Sequence, residues 1–208
     1  MLKSSFTIKT LQVSDCEHLK TQSSHENIRV EGGDLTEAEF EDLYFDQTLL
    51  EAVIFNQVKI RDLKITDSLV LKCSFAGAEI EASSFLRTEF RSSRLQGINL
   101  PQTRMENVTF VDSKINDINL RYSKLKNIIF DSCDMSGADF IGADLKKVTF
   151  KNCNLAQANF SHSILKDVDL AGSAIDNIII NPEAVKEVFV DTGQALYLSA
   201  IFGLKIRD

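Results

Sequence analysis

Three of the chain's four cysteines, Cys73, Cys133 and Cys153, lie at positions that differ by multiples of twenty. In a chain that returns to the same place at that interval they would stack in one column. Cys133 and Cys153, one return apart, would then have the spacing of a redox pair. The same column contains Ser93, Ser113 and Ser173, and that company favours small core side chains over thiol chemistry. The histidines, His18, His25 and His162, stand at no motif spacing from a serine or cysteine nucleophile. No CxxC or CxxH cluster offers zinc ligands. The stretch GADFIGADL (137–145) is not a dinucleotide fingerprint, because no helix begins there. Neither catalysis nor a metal nor a cofactor is expected.

What remains is charge. Residues 31–62 carry nine acidic side chains against Lys59 and Arg61. Among them Asp34, Glu37, Glu39, Glu41, Asp42, Asp46, Glu51 and Asp62 are the candidate partner-binding residues, since a carboxylate-rich surface can imitate DNA phosphates towards a DNA-binding enzyme. The plainer alternative is a solvated face that keeps the molecule soluble. Residues 84–128 reverse the sign, with eight basic and four acidic residues. Arg94 with Lys114, Arg104 with Lys124, and Lys126 with Lys146 and Lys166 all recur at the same interval as the cysteines. With a formal net charge of −7 and no interleaved aromatic residues, direct nucleic-acid binding is not expected.

These side chains must be positioned by an element with an unusual period. Stepping by five from Leu35 to Ile180, every one of the 30 positions is Leu, Ile, Val, Met or Phe. Neither a helix nor a strand has a period of five. The residue two places earlier is Gly, Ala, Ser, Thr or Cys in 19 cases, Val, Ile or Leu in the other 11, and never charged. Residues two apart on an extended segment share a side, so both point inward. The residue between them points out, and the remaining two make a corner. Gly77, Gly97, Gly137, Gly142 and Gly172 occupy the second corner position, as do Asn107, Asn127, Asn152 and Asn177; both residue types tolerate turn dihedrals. Each unit is thus a short strand plus a corner. Four such units close one coil, and roughly eight coils stacked about 4.8 Å apart make a rod on the order of 40 Å long. Phe90, Phe110, Phe130 and Phe150 fall in one stack.

The units SGADF, IGADL, KNCNL and AQANF (136–160) resemble the pentapeptide-repeat family, whose consensus is A(D/N)LXX. The resemblance covers residues 33–180, with Val30, Val185 and Val190 extending it, and implies an all-β solenoid, a right-handed quadrilateral β-helix with a short C-terminal α-helix. At the C-terminus QALYLSAIFG (194–203) resembles the QAxxLAxxLG-like tail helix of the Qnr branch, whose members bind bacterial type II topoisomerases. That resemblance implies a DNA mimic for DNA gyrase or topoisomerase IV and a bearing on quinolone action. The unbroken register leaves no room for the loops that Qnr proteins project between coils, and the basic middle interrupts the acidic face. A scaffold for some other protein stands as the alternative.

The expected organisation is an N-terminal arm or cap (1–29), the β-helix (30–190) and a C-terminal helix and strand (191–208). In the arm, FTIKTLQV (6–13) reads as a strand and SDCEHLKTQSSHEN (14–27) as a polar loop. At the other end Asp191 is a good N-cap and Gly203 a good C′ residue for a helix of about ten residues. Leu196, Tyr197, Leu198, Ala200, Ile201 and Phe202 make that helix apolar nearly all round, so it needs cover on two sides. The end of the rod supplies one. A second subunit supplies the other in a C-terminus-to-C-terminus homodimer that also uses Leu204, with LKI (204–206) as an intersubunit strand; the alternative is a monomer with the helix buried by residues 181–190. Outward apolar residues in the first coils, Tyr44, Leu49, Ile54, Leu69, Leu71 and Leu86, are expected to be covered by the arm or to form a contact patch. No stretch approaches the ~20 apolar residues that span a bilayer, and the first residues lack a secretory signal core, so no membrane association and a cytoplasmic location are expected.

Overall fold

The computed structural model describes residues 11–20 and 23–205. It is a parallel β-solenoid of about nine turns with one short α-helix at its C-terminal end. From Ser24 onward every ladder pairs a residue with the one twenty positions on, for example Leu43 with Leu63, Met105 with Leu125 and Phe130 with Phe150. Each coil therefore has four sides of five residues. We number the faces by the first full coil: the first is centred on Leu35, the second on Phe40, the third on Phe45 and the fourth on Leu50. The third and fourth faces carry the longer strands, such as Lys124–Asp131 and Asp144–Lys151, which run on from one face to the next. The first face, and the second beyond Ile80, are held by single bridges such as Arg94 with Lys114 and Asn99 with Asn119.

Of the 30 residues on the five-residue register, 29 are buried, and Phe40 is half-buried. Parallel in-register stacking places like side chains face to face. Phe90, Phe110 and Phe130 follow one another at centroid distances of 4.8 and 4.9 Å with ring planes within 12° of parallel. Phe55 stacks on Phe75 and Phe140 on Phe160 in the same way. The core is a set of ladders with no separate hydrophobic centre, which suits a repeat that contacts only its neighbours.

The small inward residue of each unit has a reason beyond volume. Where a serine stands at the same place one coil on, its hydroxyl accepts from the backbone N–H: Cys73 N–H donates to Ser93 Oγ, Ser93 N–H to Ser113 Oγ and Cys153 N–H to Ser173 Oγ, at 3.0–3.2 Å. A buried N–H left without such a partner would cost about 1–3 kcal/mol. The corners are equally regular. From Glu37 to Asn177 the second corner residue has φ near +45 to +68°, or +79° at Gly172, at every position except Asp42 and Asp62. Only five of these residues are glycines, so the left-handed corner does not depend on the Gly and Asn that the sequence pattern emphasised. A hydrogen bond from most corner N–H groups to the next coil, such as Gln57 N–H to the Ala76 carbonyl at 2.9 Å, holds residues such as Lys72, Arg87 and Tyr122 there.

At the N-terminal end the structure corrects the sequence expectation of a polar loop at 14–27. Cys16–Lys20 forms a 3-10 helix that buries Leu19, and Ser24–Glu26 pairs in register with Tyr44–Asp46. His25 occupies the position of a core aliphatic and stacks on Phe45 at 5.4 Å, only 2% exposed. A search for large apolar residues misses it because imidazole can fill that place as a flat ring. A Cβ at Gly33 would collide with Cys16, so that glycine lets the cap sit down on the first coil. Gln12–Ser14 pairs with Ile28–Val30 and forms the first strand of the ladder. The rest of the strand expected at 6–13 lies outside the described residues.

Candidate partner-binding surfaces

The eight carboxylates singled out in the sequence lie in the first coils but wind around the rod. Asp34 points out from the first face, Glu39 from the second, Glu37 lies at the corner between those two, Glu41, Asp42 and Asp62 at the corner between second and third, Asp46 between third and fourth, and Glu51 between fourth and first. Several are engaged within the chain. Arg61 pairs with Glu41 at 2.7 Å, Arg29 with Glu51 at 2.8 Å and Lys64 with Asp62 at 2.8 Å. Asp42 and Asp62 stack one coil apart, a like-charge neighbourhood that is destabilising unless bridged. The Tyr44 hydroxyl donates towards Asp42 at 3.1 Å and Asp62 at 3.3 Å, and Lys64 Nζ lies 4.4 Å from the Tyr44 ring. Partial burial and the Asp42 hydrogen bond raise the Tyr44 hydroxyl's pKa, while the Asp62 hydrogen bond raises that of Lys64. The Asp34 carboxyl is lowered by hydrogen bonds from Thr36.

The same region holds the one departure from the square section. At Asp42 and Asp62 the corner is not left-handed, and the chain runs from second face to third as the eight-residue strands Glu39–Asp46 and Lys59–Thr66. The resulting cleft, about 440 Å³, has Phe40 and Ile60 on its floor and Glu39, Glu41, Glu79 and Glu81 with Lys59 and Arg61 around it. The sequence did contain a signal for this. Leu43 and Leu63 are the only leucines at the small inward position, and both are fully buried. A leucine, branched at Cγ, needs more room beside the core than the β-branched or small residues found elsewhere, and the corner before it opens. The outward apolar residues of this half are largely sheltered: Leu49 is buried, and Tyr44, Ile54, Leu69, Leu71 and Leu86 are half-buried, with Leu49 and Leu69 side by side on the fourth face.

At the C-terminal end the expected helix is present as α1, Thr192–Ile201. Asp191 accepts from Gln194 N–H at 2.9 Å and Gln194 Oε1 accepts from Asp191 N–H at 3.0 Å, a reciprocal cap. The helix also closes the solenoid. Buried Gln194 donates from Nε2 to the carbonyls of Leu170 and Ser173, at 2.6 and 2.7 Å. Gly172 N–H donates to the Asp191 carboxylate and Asn177 N–H to the Tyr197 hydroxyl, bonds that a further coil would otherwise take. The apolar residues therefore divide. Leu198 is buried and Tyr197 and Phe202 are partly buried against the last coil, while Leu196 (51% exposed), Ala200, Ile201 (44%) and Leu204 (64%) are exposed, as is Phe189 (60%). Leu204 is in no strand, and Ile206 lies outside the described residues.

The cysteine column is core. All four thiols are free, and Cys133 and Cys153 are 2% and 3% exposed. The Cys133 thiol donates to the carbonyls of Phe110 and Asp131; the neighbouring Cys153 and burial raise its pKa, and burial pushes Cys73 up to about 12. Among the described residues no group of His, Cys, Asp and Glu is placed to hold a metal ion, and no helix is long and apolar enough to cross a membrane.

The fold defines the class of protein as a four-sided parallel β-solenoid. A model of the pentapeptide repeat region matches residues 83–160 and 114–180. The ladders through those residues continue unbroken back to Asp34, and the chain is a pentapeptide-repeat protein. Proteins of this kind are typically structural or interaction proteins. No curated protein matches the chain in sequence. Among solved structures it is similar to HetL, a pentapeptide-repeat protein involved in heterocyst differentiation regulation from the cyanobacterium Nostoc sp. strain PCC 7120, at 17% identity over 80% of this chain and 86% of that one, with a TM-score of 0.45. It is also similar to QnrB1, a plasmid-mediated fluoroquinolone resistance protein, at 18% identity over 87% of this chain and 100% of that one, with a TM-score of 0.28.

Proposed function

We propose that the chain is a non-catalytic interaction rod that binds a bacterial type II topoisomerase, DNA gyrase or topoisomerase IV, in the manner of a DNA duplex. The observation that carries this reading is the pairing of two ends: coils rich in carboxylates at one, and a solenoid-closing helix with an exposed apolar outer face at the other. Two copies meeting through Leu196, Ile201 and Leu204 would form a long rod with its acidic coils outermost. Binding is by shape and charge with no turnover. The carboxylates free of an ion pair among the described residues, Asp34, Glu37, Glu39, Asp42 and Asp46, carry the contact in this reading.

A supercoiling assay with purified protein and gyrase, with and without ciprofloxacin, tests it. Inhibition, or relief of the drug, at micromolar protein is expected. No effect on gyrase or topoisomerase IV would remove the topoisomerase and leave the second reading, a scaffold for another protein. The observation favouring that second reading is the acidic cleft floored by half-buried Phe40, which is more local than a duplex-like surface requires.

A further inference from the structure

The cations of this rod differ in whether a carboxylate of the chain pairs with them. In the N-terminal half Arg29, Arg61, Lys64, Arg87 and Arg91 each form an ion pair with a carboxylate of their own or an adjacent coil. On the third face and its corner with the fourth, further along, the pattern is reversed. Arg104 stacks on Lys124, and Lys126, Lys146 and Lys166 follow one another in a single in-register column, with Lys147 beside it on the corner. Of these six, only Lys126 is ion-paired among the described residues, to Glu106. Like charges directly opposite on neighbouring strands destabilise a sheet, so the column is tolerated at a cost that a bound polyanion would remove. Glu106, Asp144 and Asp167 are the acidic residues of this strip and leave it net positive.

The opposite edge of the third face carries an aromatic ring that the sequence does not place. Tyr122 sits at the corner between second and third faces and is 61% exposed. Its ring lies over the next coil at Gly142, where a Cβ would come within 2.6 Å of it. A flat, exposed ring borders one side of a face whose other side is a line of lysines.

We propose that this face binds the phosphate backbone of a single-stranded nucleic acid, with the lysine column on the phosphates and Tyr122 under one base. Basic tracks bordered by stacking rings are the usual means of holding single strands without sequence preference. The absence of interleaved aromatics argued against nucleic acid at the level of sequence; folding brings Tyr122 to the face from outside the lysine column.

The test is fluorescence anisotropy of a short fluorescein-labelled single-stranded oligonucleotide titrated with the full chain. Saturable binding that weakens with salt is expected. Lys146→Gln with Lys166→Gln should lower the logarithmic salt slope by roughly 1 to 2, and Tyr122→Ala should weaken binding about tenfold. Lys59→Gln, outside this face, should change neither. Circular dichroism confirms that each variant is folded. No saturable binding at micromolar protein overturns the proposal. So does equal displacement by polyglutamate, which would make the face a dock for an acidic protein segment. Duplex bound as tightly as single strand, with no effect of Tyr122→Ala, overturns the assignment to single strands.

Discussion

Phe130 and Phe150 lie 5.1 Å apart with their ring planes 7° from parallel, although a full coil of chain separates them. Both are fully buried, and Phe130 stacks in the same way on Phe110 one coil earlier. Truncating such a ring opens a cavity that neighbours on a rigid ladder cannot close. Phe130→Ala is therefore expected to cost about 3–5 kcal/mol by denaturant unfolding. Phe40→Ala, at the half-buried register position, should cost clearly less, and equal losses would refute the ladder account.

Leu43 and Leu63 hold open the only corners between Glu37 and Asn177 that are not left-handed. Leu63→Ala is expected to destabilise by about 2–4 kcal/mol and to close the cleft over Ile60. A crystal structure of the variant decides the second point: residue 62 should move to positive φ.

Burial and chemistry make the cysteine column unreactive. Cys73, at a pKa of about 12, and Cys133, raised by Cys153 and by burial, present almost no thiolate near neutrality, and Cys153 is shut behind the coil wall at 3% exposed. Titration of the native protein with a thiol reagent at pH 8 should modify Cys16 alone, the half-buried one, and all four in denaturant. Rapid labelling of Cys133 in the native state would contradict the structure.

Asp191 gives the C-terminal cap a pH dependence. Hydrogen bonds from Gln194 and Gly172 N–H groups hold its carboxyl below the ordinary 3.8. A lowered folded-state pKa means the stabilisation is complete above the unfolded value and is lost as pH falls through the folded one. The protection of α1 amides relative to their intrinsic exchange rates should fall below about pH 4 in the native protein, and Asp191→Asn, which still caps, should abolish that pH dependence.

The outer face of α1 predicts association. Light scattering is expected to show a dimer for the full chain and a monomer for Leu196→Asp with Ile201→Asp, both of which leave the inward Leu198 untouched. A dimer that survives truncation after residue 190 would remove the role assigned to the tail.

The register of five, its inward and outward alternation and the capped helix after Asp191 were legible in the sequence, because each follows from local rules: what a strand buries, what a corner tolerates, what a helix needs at its first turn. His25 in the core and the partners of each charge were decided only by the coil stacking, while the corners before Leu43 and Leu63 left a trace in the sequence as the two leucines at the small inward position. Parallel ladders set every residue beside its equivalent one coil away, so whether Glu41 finds Arg61, or Lys126 lines up with Lys146, depends on neighbours that no local window contains. The acidic block is contiguous in the chain and winds around four faces in space. A coil that turns a corner at every unit distributes any run of charge, and gathers instead what recurs once per coil, as it does Lys126, Lys146 and Lys166.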